Sequence, residues 1–155
     1  MTAFNTAWAI VKMPIIPNTV KEVDNNKWMG RRYQGDFYDP KSKETMPIVV
    51  YDNDDYISGF IGEGYGNKAR SESEAQKTYY QDMPKMMATG VETDEPFRRR
   101  GYATALYDLM AHVLANRPVP LDLMPDESQT YEAGQLWRTN APDYIWPKDR
   151  VEVME

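Results

Sequence analysis

Apolar residues at Ala103, Leu106, Tyr107, Met110, Val113 and Leu114 recur every three or four positions, the stripe of an amphipathic helix. Asn116 and Pro118 mark its end. Just before it the period falls to two. Across Lys85–Thr93, Met86, Ala88, Gly90 and Glu92 share one face and Met87, Thr89, Val91 and Thr93 the other, which predicts a strand. Met46–Tyr51 is a β-branched run and Tyr56–Tyr65 its return, joined by Asp52-Asn53-Asp54-Asp55; this predicts a hairpin. Phe4, Trp8 and Ile10 fall on one parity and predict a strand over Ala3–Lys12.

Pro17-Asn18-Thr19 reads as a helix start, followed by Val20, Val23, Trp28 and Met29. A helix of about 10–14 residues is expected within Asn18–Tyr33, with Arg31 and Arg32 near the end that favours cations. Gly35–Thr45 reads as a polar connector. Gly66–Met83 is polar and poor in aliphatics, and reads as a partly ordered flap or a short helix over Ser71–Tyr80. Val119–Met124 predicts a strand. Pro125-Asp126-Glu127-Ser128 starts another helix reaching about Arg138, with Tyr131, Leu136 and Trp137 as its apolar positions. Tyr144–Trp146 and Arg150–Met154 are short β-prone pieces. Strand–helix–strand near the C-terminus implies a right-handed parallel crossover, and the earlier hairpin an antiparallel pair. The fold class is therefore α/β in the mixed α+β sense, one domain spanning 1–155, with helices on the faces of a mixed sheet.

Composition narrows the chemistry. The chain has no Cys, which removes disulfides, thiolate nucleophiles and Cys-based zinc sites. His112 is the only His, so a His-based metal site is not expected either, and no metal is assigned. The N-terminus lacks a basic region followed by a long apolar run, and no apolar stretch approaches the about 20 residues of a membrane span. A cytoplasmic protein is expected. A net charge of −6 disfavours nucleic acid and mildly favours a cationic partner. Asp52–Asp55 lacks the Gly and Glu spacing of a calcium loop, and Gly59, Gly62, Gly64 and Gly66 lack the Gly-Lys-Ser/Thr of a phosphate loop; both read as turns and strand kinks.

Arg98-Arg99-Arg100-Gly101 is different. Three cations and a glycine stand at the start of a helix, where unpaired N–H groups and the macrodipole already present positive charge. Cations there are unfavourable unless an anion sits among them, so the turn reads as a site for a phosphate or pyrophosphate.

Arg98-x-x-Gly101-x-Ala103, lying between a strand and a helix and followed by strand and helix, resembles the acyl-CoA signature of the GNAT superfamily of N-acetyltransferases. The resemblance covers the element order over most of the chain. It implies a mostly antiparallel twisted sheet with a central, splayed parallel strand pair and helices on both faces. It also implies acetyl-CoA as the cofactor. Main-chain groups of Gly90, Val91, Glu92 and Thr93 would hold the pantetheine. Arg98, Arg99, Arg100, Gly101, Tyr102, Ala103 and Thr104 would hold the pyrophosphate. Thr130 and Trp137 stand where the family often has Asn and Tyr, at the coenzyme. Glu92 is then the candidate base, acting through water, and Tyr131 a substitute for the family's acid. The acceptor would be a primary amine: a cationic small molecule, a peptide N-terminus or a protein lysine, with Asp52, Asp54, Asp55 and Glu63 near its cleft. A homodimer is also compatible. Two other readings stand beside it. One is a non-catalytic interaction protein on the same fold, with or without coenzyme A. The other is a nucleobase-modifying enzyme using a patch of Arg31, Arg32, Lys41 and Lys43.

Overall fold

A computed structural model describes residues 15, 19–26, 30–80, 82–124, 128–130 and 152–154. The strands are β1 (Lys21–Asn26), β2 (Gly30–Asp39), β3 (Glu44–Asn53), β4 (Tyr56–Gly62), β5 (Ala69–Tyr80) and β6 (Met83–Thr93), followed by helix α1 (Tyr102–Ala115), β7 (Leu123–Met124), β8 (Ser128–Thr130) and β9 (Glu152–Met154). The first seven strands form one sheet in sequence order. β1 to β6 make an antiparallel meander, and β7 joins β6 in parallel through the α1 crossover. β8 and β9 form a separate parallel pair. The fold is thus mixed α+β with a mostly antiparallel sheet, and among the described residues one helix covers one face. No helix among them is long and apolar enough to cross a membrane.

The β3–β4 hairpin, the β6 strand and α1 form where the periodicity places them. Where a helix is expected in Asn18–Tyr33, the described residues form β1 and the start of β2 instead. Two forces override the local capping signal. Gly30 takes a left-handed φ of 91°, and a Cβ there would lie 2.2 Å from the Asp52 carbonyl oxygen, so backbones meet too closely for any other residue. Beyond it, Phe37 and Asp39 alternate inward against β3, and sheet pairing outweighs helix propensity. The expected connector Gly35–Thr45 is the second half of β2, a tight turn and the first residues of β3.

The expected flap is also corrected: Gly66–Met83 is mostly β5, a twelve-residue strand inside the sheet. Its small residues Ser71, Ser73 and Ala75 lie buried beneath α1, while Glu72, Glu74 and Gln76 project from the opposite face. A strand pressed under a helix needs small side chains, which makes it look polar and unstructured by composition. Ser128–Thr130 is strand β8, which corrects the start of the helix expected from Pro125; the remainder of that helix, the Ala3–Lys12 strand and Tyr144–Trp146 lie outside the described residues.

α1 packs on β2–β6 through Leu106, Leu109, Met110, Val113 and Leu114, against Phe37, Ile48, Val50, Ile57, Ile61 and Met86. Gly59 makes room for it: a Cβ there would meet the Val49 carbonyl at 2.9 Å and Leu106 Cδ2 at 3.2 Å. Each end of the helix is held by a buried aspartate. At the N-terminal end, Tyr102 Oη donates to Asp39 Oδ2 at 2.6 Å and Arg100 Nη1 reaches the same oxygen at 3.2 Å. Just past the C-terminal end, Arg117 forks onto Asp52, with Nε 2.9 Å from Oδ2 and Nη2 on Oδ1, and also donates to the Asp54 carbonyl at 2.8 Å. The two aspartates lie near opposite ends of the β2–β3 pair.

Asp108 lies on α1, and burial pushes its carboxyl up to about 7. Its folded form therefore keeps a proton that the unfolded chain releases above about pH 4. The sign follows from linkage: stability falls as pH rises from about 4 to 7, and the deficit is complete above 7. Asp108→Asn should match the parent near pH 4 and gain stability over it progressively towards pH 7, read as thermal midpoints across that range. A gap independent of pH would contradict the assignment.

Candidate functional site

The site begins with an interruption in β6. Glu74 faces Gly90 and Ala75 faces Ala88, leaving Thr89 as an extra residue, a β-bulge. The bulge reverses the side-chain parity. Met86 and Ala88 before it lie in the core under α1. After it Val91 packs towards that core, and Gly90 and Glu92 turn to the opposite face. The single alternating face that the sequence implies for Met86, Ala88, Gly90 and Glu92 is therefore split in two.

The outer edge of β6 is the second feature. β7 pairs with it only at Met86↔Leu123 and Met87↔Met124. The Met86 N–H donates to the Asp122 carbonyl at 2.9 Å and Lys85 Nζ to Asp122 Oδ2 at 2.7 Å, which fixes the start of this contact. From Ala88 to Thr93, no strand among the described residues takes that edge. The Asp94 N–H points inward, to the Arg70 carbonyl at 2.9 Å. By alternation, the N–H and C=O of Val91 and Thr93 point outward. The Thr93 carbonyl is met there by Arg98 Nε at 2.9 Å. Among the described residues, the Val91 N–H and C=O and the Thr93 N–H are left on that edge without a strand partner.

The chain then makes a 3-10 turn over Glu95–Phe97 and enters the arginine loop. Arg99 has φ 63° and Gly101 φ 86°, both left-handed, with Arg100 between them. For Arg99 this costs about 1–2 kcal/mol. Left-handed residues interleaved with ordinary ones aim successive N–H groups into one concavity, a backbone anion site. Gly101 is also the N-cap of α1, with no side-chain cap. The first helical bond is Ala105 N–H to the Gly101 carbonyl at 2.9 Å, so the N–H groups of Tyr102, Ala103 and Thr104 have no intrahelical acceptor.

The arginines divide. Arg98 and Arg99 are exposed. Arg100 is turned inward onto Asp39, so its guanidinium positions the loop. Burial alone would raise the Asp39 carboxyl. The hydrogen bonds from Tyr102, the Ser42 and Lys41 N–H groups and Arg100 outweigh this and hold it well below the usual carboxylate range. Burial, then the Asp39 hydrogen bond, pushes the Tyr102 hydroxyl up to about 12. Tyr102 thus offers the loop its backbone N–H only. Phe97 lies between Arg70, 4.3 Å from its ring centre, and Arg100 at 5.8 Å. Arg70 also donates to Tyr102 Oη at 3.2 Å and to Glu44 at 2.8 Å, binding β3, β5 and the loop together.

A cleft of about 460 Å³ opens on the sheet face opposite α1, bounded by Tyr56, Tyr65, Glu72, Glu74, Gly90 and Glu92. Glu72 and Glu92 stand directly across the β5–β6 pair. Glu74 Oε2 accepts the Tyr56 hydroxyl at 2.6 Å, and Glu72 Oε1 accepts the Gly66 N–H. Tyr65 leans edge-on against Phe60, its hydroxyl bonded to Ser58 Oγ at 2.9 Å. Burial pushes Tyr65 up to about 12, against the pull of the Ser58 bond. Burial first and Glu74 second raise Tyr56 as well, so both phenols stay protonated and uncharged near neutral pH. A Cβ on Gly90 would meet only the Glu74 side chain, at 3.8 Å. Its missing side chain is therefore cleft volume, not a demand of the backbone.

Thr93 thus adjoins the arginine loop through Arg98 and Val91 shares its outward edge, whereas the main-chain groups of Gly90 and Glu92 turn inward to Glu74 and Glu72, so of the four residues expected along the edge only Val91 and Thr93 present main-chain groups there; the Glu92 side chain faces the cleft. The carboxylates expected at the cleft do not. Asp52 is buried under Arg117, Asp54 and Asp55 pair with Arg31 and Lys77 at the hairpin tip, and Glu63 is exposed beyond β4. Arg31 and Arg32 lie at the opposite end of β2 from Lys41 and Lys43, about 30 Å away by strand rise, so the four form no single basic patch. Thr130 belongs to β8; Tyr131 and Trp137 lie outside the described residues. Glu72, Glu74 and Tyr56 were not foreseen. The alternation Ser71-Glu72-Ser73-Glu74-Ala75 was the available signal, small on one face and acidic on the other. Compared with protein-family models, curated proteins and solved structures, the chain matches none.

Proposed function

We propose that the protein is an acetyl-CoA-dependent N-acetyltransferase that moves an acetyl group directly to a primary amine. The observation that carries this is the open outer edge of β6 running straight into the left-handed, arginine-bearing turn at the start of α1. An extended amide-containing chain ending in phosphates fits both. Val91 N–H and C=O and the Thr93 N–H can pair with such a chain as a strand would. Arg98, Arg99 and the N–H groups of Gly101 to Thr104 can hold its pyrophosphate. Acetyl-CoA supplies an acyl thioester, from which an attacking amine takes the acetyl group with release of the thiol.

Glu92 emerges on the cleft side beside that edge. It takes a proton from the incoming ammonium through water, leaving the neutral amine that alone is nucleophilic.

A second reading draws on the same edge. A binding protein with no chemistry could use it to accept a strand from a partner protein. Thiol release from acetyl-CoA in the presence of a panel of primary amines separates the two. The transferase releases thiol in proportion to amine, whereas the binder releases none.

A further inference from the structure

We infer that Arg98 is a positioning residue that closes the open edge of β6 and joins it to the turn before α1, so that the edge takes a short amide-bearing arm ending in a phosphate and not the strand of a partner protein. The inference rests on the proposed transferase reading and deepens it.

The edge is a window with two ends. β7 occupies the first end, pairing with β6 as far as Met87↔Met124. Arg98 occupies the second, its Nε donating to the Thr93 carbonyl at 2.9 Å. Past the Thr89 bulge, the Val91 N–H and C=O and the Thr93 N–H are the outward groups without a strand partner among the described residues. Val91 and Thr93 span about 7 Å by strand rise. A strand of ordinary length runs about five or six residues, and here it would meet β7 on one side and the Arg98 side chain on the other. A single amide on a flexible arm needs no more than the window offers.

The Arg98 end is held in place. Thr93 Oγ1 lies 2.8 Å from Ser71 Oγ on β5, which anchors the residue from the inner side. The turn that follows is closed by the Phe97 N–H on the Asp94 carbonyl at 2.9 Å and the Arg98 N–H on the Glu95 carbonyl at 3.3 Å. The Arg98 backbone is therefore fixed relative to Thr93, and its side chain folds back onto the strand. Asp94 and Glu95 stand in the same turn, yet among the described residues Arg98 pairs with no carboxylate. A guanidinium is a planar fork. With Nε engaged on the carbonyl, the two Nη nitrogens can still donate side by side to a phosphate. One side chain can thus touch both halves of the ligand site. A lysine keeps the charge but has no second, rigidly placed donor. An arm seated on Val91 and the Thr93 N–H brings its phosphate to a group already held against the strand, so arm and phosphate bind better joined than apart.

The test is calorimetric titration of the full chain with coenzyme A and with ADP, which carries the pyrophosphate without the arm. The ratio of the two affinities reads what the arm contributes. Arg98→Lys should keep ADP affinity within about threefold of the parent's and lower that ratio by about tenfold. Arg98→Ala should weaken both ligands and lower the ratio as far. Arg98 is exposed, so both variants should keep urea midpoints close to the parent's. A ratio unchanged in both variants, or a parent that binds coenzyme A no better than ADP, overturns the inference. In either case a parent that binds coenzyme A leaves the transferase reading standing. A parent that binds neither ligand defeats that reading, and the inference with it.

Discussion

Replacing Asp39 with alanine is expected to destabilise the fold by about 3–5 kcal/mol, the cost of breaking a buried ion pair and leaving one charge behind. Asp39 is 0 % exposed and serves four donors: Tyr102 Oη, Arg100 and the Lys41 and Ser42 N–H groups. The alanine variant strands all four. Asp39→Asn keeps the volume and part of the hydrogen bonding but not the charge, and should fall between the parent and Asp39→Ala in urea midpoint. The pH dependence has a definite sign. The Asp39 carboxyl is depressed in the folded state, so its contribution is fully present above about pH 4, the unfolded value, and is lost as pH falls below it. Parent and Asp39→Ala should therefore converge in acid. A loss under about 1 kcal/mol, on the scale of a surface pair, would show that the network does not anchor the loop.

Glu92→Gln should lower the rate of acetyl transfer by about 10²–10⁴-fold, the usual range for removal of a general base. Affinity for coenzyme A should stay within a few-fold, because the bond to the cofactor is assigned to the main chain of β6 and the residue is exposed, with no ion pair to lose. The loss should be greatest at neutral pH and shrink as pH rises towards the amine's own pKa, where the neutral nucleophile needs no base. Thiol-release kinetics across that range read both effects. A uniform loss at every pH would give Glu92 a positioning role only.

The legible part of the fold was the part with one clear period. The 3.6-residue stripe of Ala103–Leu114 declares itself because α1 lays one face on the sheet, and the β-branched Met46–Tyr51 run because β3 is buried on both faces. β5 did not, because its inward face is Ser71, Ser73 and Ala75, too small to register as hydrophobic although all three are buried. β1 and β2 were hidden behind a helix-start signal at Pro17–Thr19, since the close approach of Gly30 to Asp52 is a tertiary event with no local trace. The same division holds at the site. Gly101 and its arginines were readable because a helix start, a glycine and charge coincide in sequence. The cleft was not, because Glu72 and Glu74 meet Glu92 only through strand pairing, and the bulge at Thr89 that turns Glu92 towards them has no residue signature.

Coenzyme A titrated by calorimetry into the parent and into Gly101→Val decides most. Gly101 holds φ 86° and ψ 7° at the start of α1, a conformation that strains any β-branched residue. One coenzyme per chain should bind the parent. Gly101→Val should weaken binding at least tenfold and lower stability by about 1–3 kcal/mol, with a urea transition that still shows a folded chain under the titration conditions. A parent that takes up no coenzyme A at millimolar concentration, or a Gly101→Val chain that binds as the parent does, would contradict the assignment of this loop.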